Sequence, residues 1–154
     1  MADQKISELT AASSGASADL FHIVQGGTNK KLTVQNFLEN IAGNVKIDGF
    51  LAFDGTAEAV TAAGSTVAIN VTSAISNITS TAVTTGGDAL TLADGVQGQI
   101  KNLTLIVDGG DVQIDPANFT NGASITMEDA GDNITLMFNN AAWQIVSNYG
   151  CTIA

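Results

Sequence analysis

From Val67 onward the chain is a succession of short runs rich in β-branched residues: VAINV, AISNITSTAVT, ALTLA, QIKNLTLIV, DVQID, ASITM, NITLMF and AWQIV. Turn formers separate them, at Gly86-Gly87-Asp88, Asp94-Gly95, Asp108-Gly109-Gly110, Asn121-Gly122 and Asp129-Ala130-Gly131-Asp132. Val, Ile and Thr suit a pleated, half-buried surface, and Asp-Gly or Asn-Gly supplies the backbone conformations that tight turns require. Ile134, Leu136 and Phe138 alternate with polar residues, as do Leu103, Leu105 and Val107. Roughly eight strands at this spacing describe a sandwich, jelly roll or barrel. The fold class expected is mainly β, with an antiparallel sandwich or jelly-roll-like domain over 67–154. No repeat of constant period stands out.

Residues 1–44 read differently. Asp3 can cap a short turn carrying Ile6 and Leu9, and the small-residue stretch TAASSGASA follows as a loop. Leu20, Phe21, Ile23 and Val24 belong to a short strand, and Gln25-Gly26-Gly27-Thr28-Asn29 turns it back through Lys30, Lys31 and Leu32. Thr33 is placed to cap VQNFLENIA, in which Val34, Phe37, Leu38 and Ile41 fall at i, i+3, i+4 and i+7. A helix of that length is marginal alone in water, so its apolar face needs something to pack on. These 44 residues form an expected N-terminal arm of hairpin plus short helix. A Gly/Ala-rich connector over 45–66 joins it to the β domain, with Phe50, Leu51 and Phe53 as a short strand or anchor.

Charge narrows the function classes. The chain has no arginine, five lysines and fifteen acidic residues, a formal net charge of −10. Binding to nucleic acid needs clustered Lys and Arg, and so does binding to anionic membranes, so neither partner is expected. An acidic surface keeps a protein soluble at high local concentration. The start MADQKISELT lacks the apolar core of a secretory signal, and no run approaches a membrane span. Synthesis and folding in a reducing cytoplasm are therefore expected. Cys151 is the sole cysteine, which rules out an intrachain disulfide and reads as a small buried apolar residue.

Candidate chemistry is sparse. His22 lies inside an apolar run, and one histidine makes no His-based metal site within one chain; only three copies meeting on a trimer axis would bind Zn²⁺ or Ni²⁺. The clusters Asp108/Asp111/Asp115 and Glu128/Asp129/Asp132 have the composition of Ca²⁺ or glycosidase sites, but their spacing matches no EF-hand loop and reads as solvated turns. Five N-x-T triplets, at Asn70, Asn77, Asn102, Asn118 and Asn133, read as polar–apolar–polar alternation along strands rather than glycan acceptors. Trp143 reads as an anchor in the core or between subunits, ahead of a sugar-stacking platform. No enzymatic activity and no cofactor are expected.

Two stretches carry a family resemblance. KISELTAASSGASADLFHIVQGGTNKKLTVQNFLENI resembles the N-terminal segment of tailed-bacteriophage fibre and virion-surface proteins, matching at Lys5–Leu9, Asp19–Val24, Gly26–Gly27, Lys30–Lys31 and Val34–Ile41. LADGVQGQIKNLTLIVDGGDVQI and DAGDNITLMFNNAAWQIVSN resemble β-rich modules of phage structural proteins. The resemblance covers about two thirds of the chain. It implies a virion structural role, commonly as a homotrimer, with the N-terminal segment docking on the particle. A body this short, without a long shaft, fits a capsid decoration (cement or head-fibre) protein on the capsid surface, made in the cytoplasm of a bacterial host. The expected partners are the major capsid protein and other copies of the chain. Leu20, Phe21, Ile23, Val24, Val34, Phe37, Leu38 and Ile41 would supply the apolar docking face, with Lys30 and Lys31 at its rim. The alternative is a short tail fibre that recognises a host glycan through exposed aromatics, for which Trp143, Tyr149 and Phe119 are the candidates.

Overall fold

The computed structural model describes residues 20–25, 27–33 and 56–154. The chain divides into two compact units, Met1–Leu51 and Ala52–Ala154.

In the first unit, β1 (Leu20–Gln25) and β2 (Thr28–Thr33) pair antiparallel, from Leu20 opposite Thr33 to Gln25 opposite Thr28. The turn is the two-residue kind, and Gly27 occupies the left-handed region at φ 75°. The expected hairpin is present. Its register puts Lys31 opposite His22 and Lys30 opposite Ile23. The helix expected over Val34–Ile41 lies outside the described residues, as do Phe50, Leu51 and Phe53.

Among its described residues the second unit is β, apart from one 3-10 turn at Gly86–Asp88. Its strands are β3 (Glu58–Ala63), β4 (Ala68–Ile69), β5 (Ile75–Ala82), β6 (Leu90–Leu92), β7 (Ile100–Val107) and β8 (Val112–Pro116). They continue with β9 (Ile125–Met127), β10 (Asn133–Asn139), β11 (Ala142–Tyr149) and β12 (Thr152–Ile153). Two five-stranded sheets result, ordered β11-β10-β7-β5-β3 and β12-β9-β8-β6-β4. Every run expected to be a strand holds one. Two strands were not anticipated: β3, which lies inside the segment read as connector, and β12.

The sheets are mixed, which corrects the expectation of an antiparallel domain. β3, β5 and β7 run parallel in the first sheet, and β4, β6 and β8 run parallel in the second. Parallel neighbours need a crossover connection, usually a helix. Here each crossover is a strand of the opposite sheet, so the chain coils between the two sheets from β3 to β8. Antiparallel pairs then close the coil, β9 on β8, β10 on β7, β11 on β10 and β12 on β9. Val60 stands opposite Ile78, Ile78 opposite Leu105, Ile69 opposite Leu92 and Leu90 opposite Ile114. Those offsets are 18, 27, 23 and 24 residues, and coils of unequal length leave no constant period in the sequence.

One hydrophobic core draws on both sheets. Ile78, Leu103, Leu105, Ile134 and Leu136 of the first sheet share it with Leu90, Leu92, Ile114, Ile125 and Met127 of the second, all fully buried. The alternation expected at Ile134, Leu136 and Phe138 holds. At Leu103, Leu105 and Val107 it breaks. Ile78 faces Leu105 but Thr79 faces Val107, so a bulge at Ile106 shifts the phase and leaves both Ile106 and Val107 exposed.

Candidate interaction surface

The two faces of the first sheet differ in kind. Core-facing positions on β5, β7 and β10 hold Ile78, Leu103 and Ile134, each flanked by an outward Asn and an outward Thr. These are the triplets Asn77-Ile78-Thr79, Asn102-Leu103-Thr104 and Asn133-Ile134-Thr135, which alternate along strands as expected; the triplets at Asn70 and Asn118 lie in the connections after β4 and β8, which corrects their reading as strand. The register aligns Asn77, Thr104 and Asn133 in one row across three strands, continued by Ala59 on β3 and Tyr149 on β11. The adjacent row runs Ile75, Asn102, Thr135 and Ser147. Asn102 Nδ2 donates to Thr135 Oγ1 at 3.0 Å, and Thr104 Oγ1 donates to Asn102 Oδ1 at 3.0 Å, so the amide is fixed along and across strands.

No charged side chain occupies an outward position on this sheet among the described residues. Its two charged residues, Glu58 and Lys101, sit at core-facing register positions. Exposed large hydrophobics gather on the same sheet: Ile75, Ile100, Ile106, Val107, Val146 and Tyr149 lie on β5, β7 and β11. Only Val83 and Val96 fall elsewhere among the described residues. The second sheet carries Asp115 outward on β8, bonded to Gln113, and its edge strands β4 and β12 have two residues each. Short edges limit further strand pairing.

Lys101 is the only lysine of the β unit, and its side chain is fully buried. Its ammonium donates to the carbonyls of Asn70 and Ser73, each at 2.8 Å, and lies 3.5 Å from Glu58 Oε2. Glu58 also accepts from Asn70 N at 2.9 Å and from Ser76 Oγ at 2.6 Å. Asn70 Oδ1 in turn accepts from the backbone of Thr72 and Ser73. The cluster ties β3, β5 and β7 to the turn between β4 and β5. Burial pushes the Lys101 ammonium below the ordinary lysine value, and the Glu58 carboxylate works against that shift. Nothing in the sequence pattern marks Lys101 as internal except its inward phase between Ile100 and Asn102.

The acidic clusters separate in space and role. Asp108, Asp111, Glu128 and Asp129 are exposed in turns, as expected. Asp132 is not solvated, which corrects its reading as an open turn residue: it is 6% exposed, and its Oδ2 accepts from the backbone of Glu128 and Asp129 at 2.8 and 3.1 Å. No group of three or more His, Cys, Asp or Glu side chains is arranged to hold a metal ion among the described residues. Cys151 is buried, and burial together with the nearby Asp132 carboxylate pushes its thiol up to about 12.

Trp143 lies at the end of the core, fully buried. Its indole Nε1 donates to the carbonyl of Ala93 at 3.0 Å, and Phe138 meets it edge-on at a centroid distance of 5.2 Å. A ring so enclosed has no face for a sugar, so the stacking platform is withdrawn as a role for Trp143. Phe119 is half-buried against the core, which leaves Tyr149 alone of the three aromatics fully on the surface. Of the residues expected to dock, Leu20, Phe21, Ile23, Val24, Lys30 and Lys31 lie on the hairpin; Val34, Phe37, Leu38 and Ile41 are outside the described residues. No described helix is long and apolar enough to cross a membrane. No protein-family model matches the chain, and a search of curated proteins finds no match either.

Proposed function

We propose that the chain is a structural protein of a tailed-phage virion, a trimeric decoration protein that docks on the capsid shell through its N-terminal arm and faces outward with its β unit. The observation that supports this reading best is the division of the chain at residue 51, shortly beyond the segment that resembles phage docking arms. A docking arm and an outward body need separate cores, and the core residues described all belong to Ala52–Ala154. On this reading the β unit is a two-sheet sandwich made by coiling, and it is not an enzyme. The arm contributes apolar burial at about 1.5–3 kcal/mol for each large side chain covered, repeated in three copies for avidity. Lys30 and Lys31, opposite Ile23 and His22, meet acidic groups on the major capsid protein. The glycan-binding tail fibre is the weaker reading, because the tryptophan it would use is enclosed.

The test is binding to capsids of the virus that encodes the chain, purified without it. Full-length protein co-sediments with the capsids, and a version lacking residues 1–44 stays in the supernatant. Retention of capsid binding by the shortened chain would remove the docking role from the arm.

A further inference from the structure

We infer that the outward face of the first sheet, β11-β10-β7-β5-β3, is the surface through which copies of this chain associate. Charge identifies the occupant. Among the described residues of the β unit, no acid faces outward on this sheet, whereas the outward face of the second sheet carries Asp115 and the turns carry most of the rest; the single lysine is buried. A contact between two β units through the acidic turns or through Asp115 brings like charges together, which costs energy at each pair. The face bearing Asn77, Asn102 and Thr104 is where two equally acidic chains meet without that penalty. Composition agrees: aliphatic side chains at Ile75 and Ile100 border the Asn/Thr rows, and Tyr149 stands at the rim with 71% of its surface exposed. Tyrosine is enriched in interfaces, and charge is depleted at their centres. Size sets the kind of association. Five strands about 4.8 Å apart and roughly seven residues long at about 3.3 Å each give a face on the order of 500–600 Å². Two such faces bury about 1,000–1,200 Å² together, at the low end of specific interfaces.

The inference rests on the self-association in the reading above and is independent of the capsid. It is tested by the mass of the full chain in solution, by light scattering at tens of micromolar. The wild-type mass is expected to be a multiple of 15.7 kDa. Added salt strengthens the association, since it screens the charge of −10 on each copy. The near-isosteric pair N77D/N133D charges the central row on two strands and brings the mass down to a single chain, with circular dichroism and thermal midpoint showing that it stays folded. T104K does the same from the middle of that row. T91D, on the outward face of the second sheet, leaves the mass unchanged. A monomeric wild type overturns the inference, as do folded variants that keep the oligomer. A wild type that is monomeric until residues 1–51 are removed would show that the first unit of the same chain, not a second copy, covers the face. Capsid binding by a monomeric wild type would leave docking intact, and an oligomer that ignores capsids would refute docking alone.

Discussion

Lys101 and Glu58 show how much one buried pair constrains a chain with little positive charge to spare. The ammonium donates to two carbonyls of the turn between β4 and β5 and lies 3.5 Å from a carboxylate on β3. Breaking such a pair leaves a buried charge without its counterion, whereas replacing both partners by apolar groups removes the problem. E58A is therefore expected to lower unfolding free energy by about 3–5 kcal/mol in urea titrations, and E58L/K101M by much less. The pH dependence has a definite sign. Because Lys101 binds its proton less tightly folded than unfolded, its contribution is most favourable above the ordinary lysine value of 10.5 and is lost as pH falls through the lower folded value. Wild type minus K101M stability accordingly rises from pH 7.5 to 9.5. Cys151 behaves oppositely. With its thiol raised to about 12 from 9.0, about one thousandth as much thiolate forms at pH 8 as in the unfolded chain, and alkylation of the native protein slows accordingly. Its contribution to stability is full below pH 9 and declines from there toward 12. Fast labelling of the native protein at pH 8 would contradict this burial.

At the scale of elements, strand existence was legible and strand direction was not. Parallel strands are usually covered on both faces and read as continuous apolar runs. Here β5 and β7 are parallel yet present one polar face, so Asn77-Ile78-Thr79 looks like an antiparallel strand. β3 was hidden because Ala62 and Ala63 carry no pattern strong enough to stand out from a Gly/Ala-rich stretch, although Ala62 is fully buried. The face formed by the N-x-T triplets was visible one strand at a time. Its continuity depended on the register, which unequal coils conceal. Trp143 was legible as an anchor because a lone tryptophan in an alternating run has few other fates, but its bond to Ala93 depends on a contact 50 residues away. The inward and outward positions of these strands are expected to differ sharply under mutation. Leu103→Ala opens a cavity at a fully buried site and costs about 2–5 kcal/mol. Asn102→Ala loses the bond to Thr135 at a partly exposed site and costs about 0.5–1.5 kcal/mol, both read from chemical denaturation. Equal costs would contradict the face assignment.

As a whole molecule, the chain couples an N-terminal unit containing a hairpin to a β unit with its own core. Residues 52–154 expressed alone are therefore expected to unfold in a single cooperative transition by circular dichroism. A broad, non-cooperative melt would mean that the core depends on the first unit. The virion reading unites the resemblance of the arm, the separateness of the β unit and the net charge of −10, which suits a crowded, outward surface. Electron cryomicroscopy of particles of the virus proposed to encode this protein tests it most directly. Density for the two-sheet unit is expected in threes on the outside of the capsid shell, joined to the shell by the N-terminal arm. Density confined to the tail vertex, or particles without the chain, would contradict it.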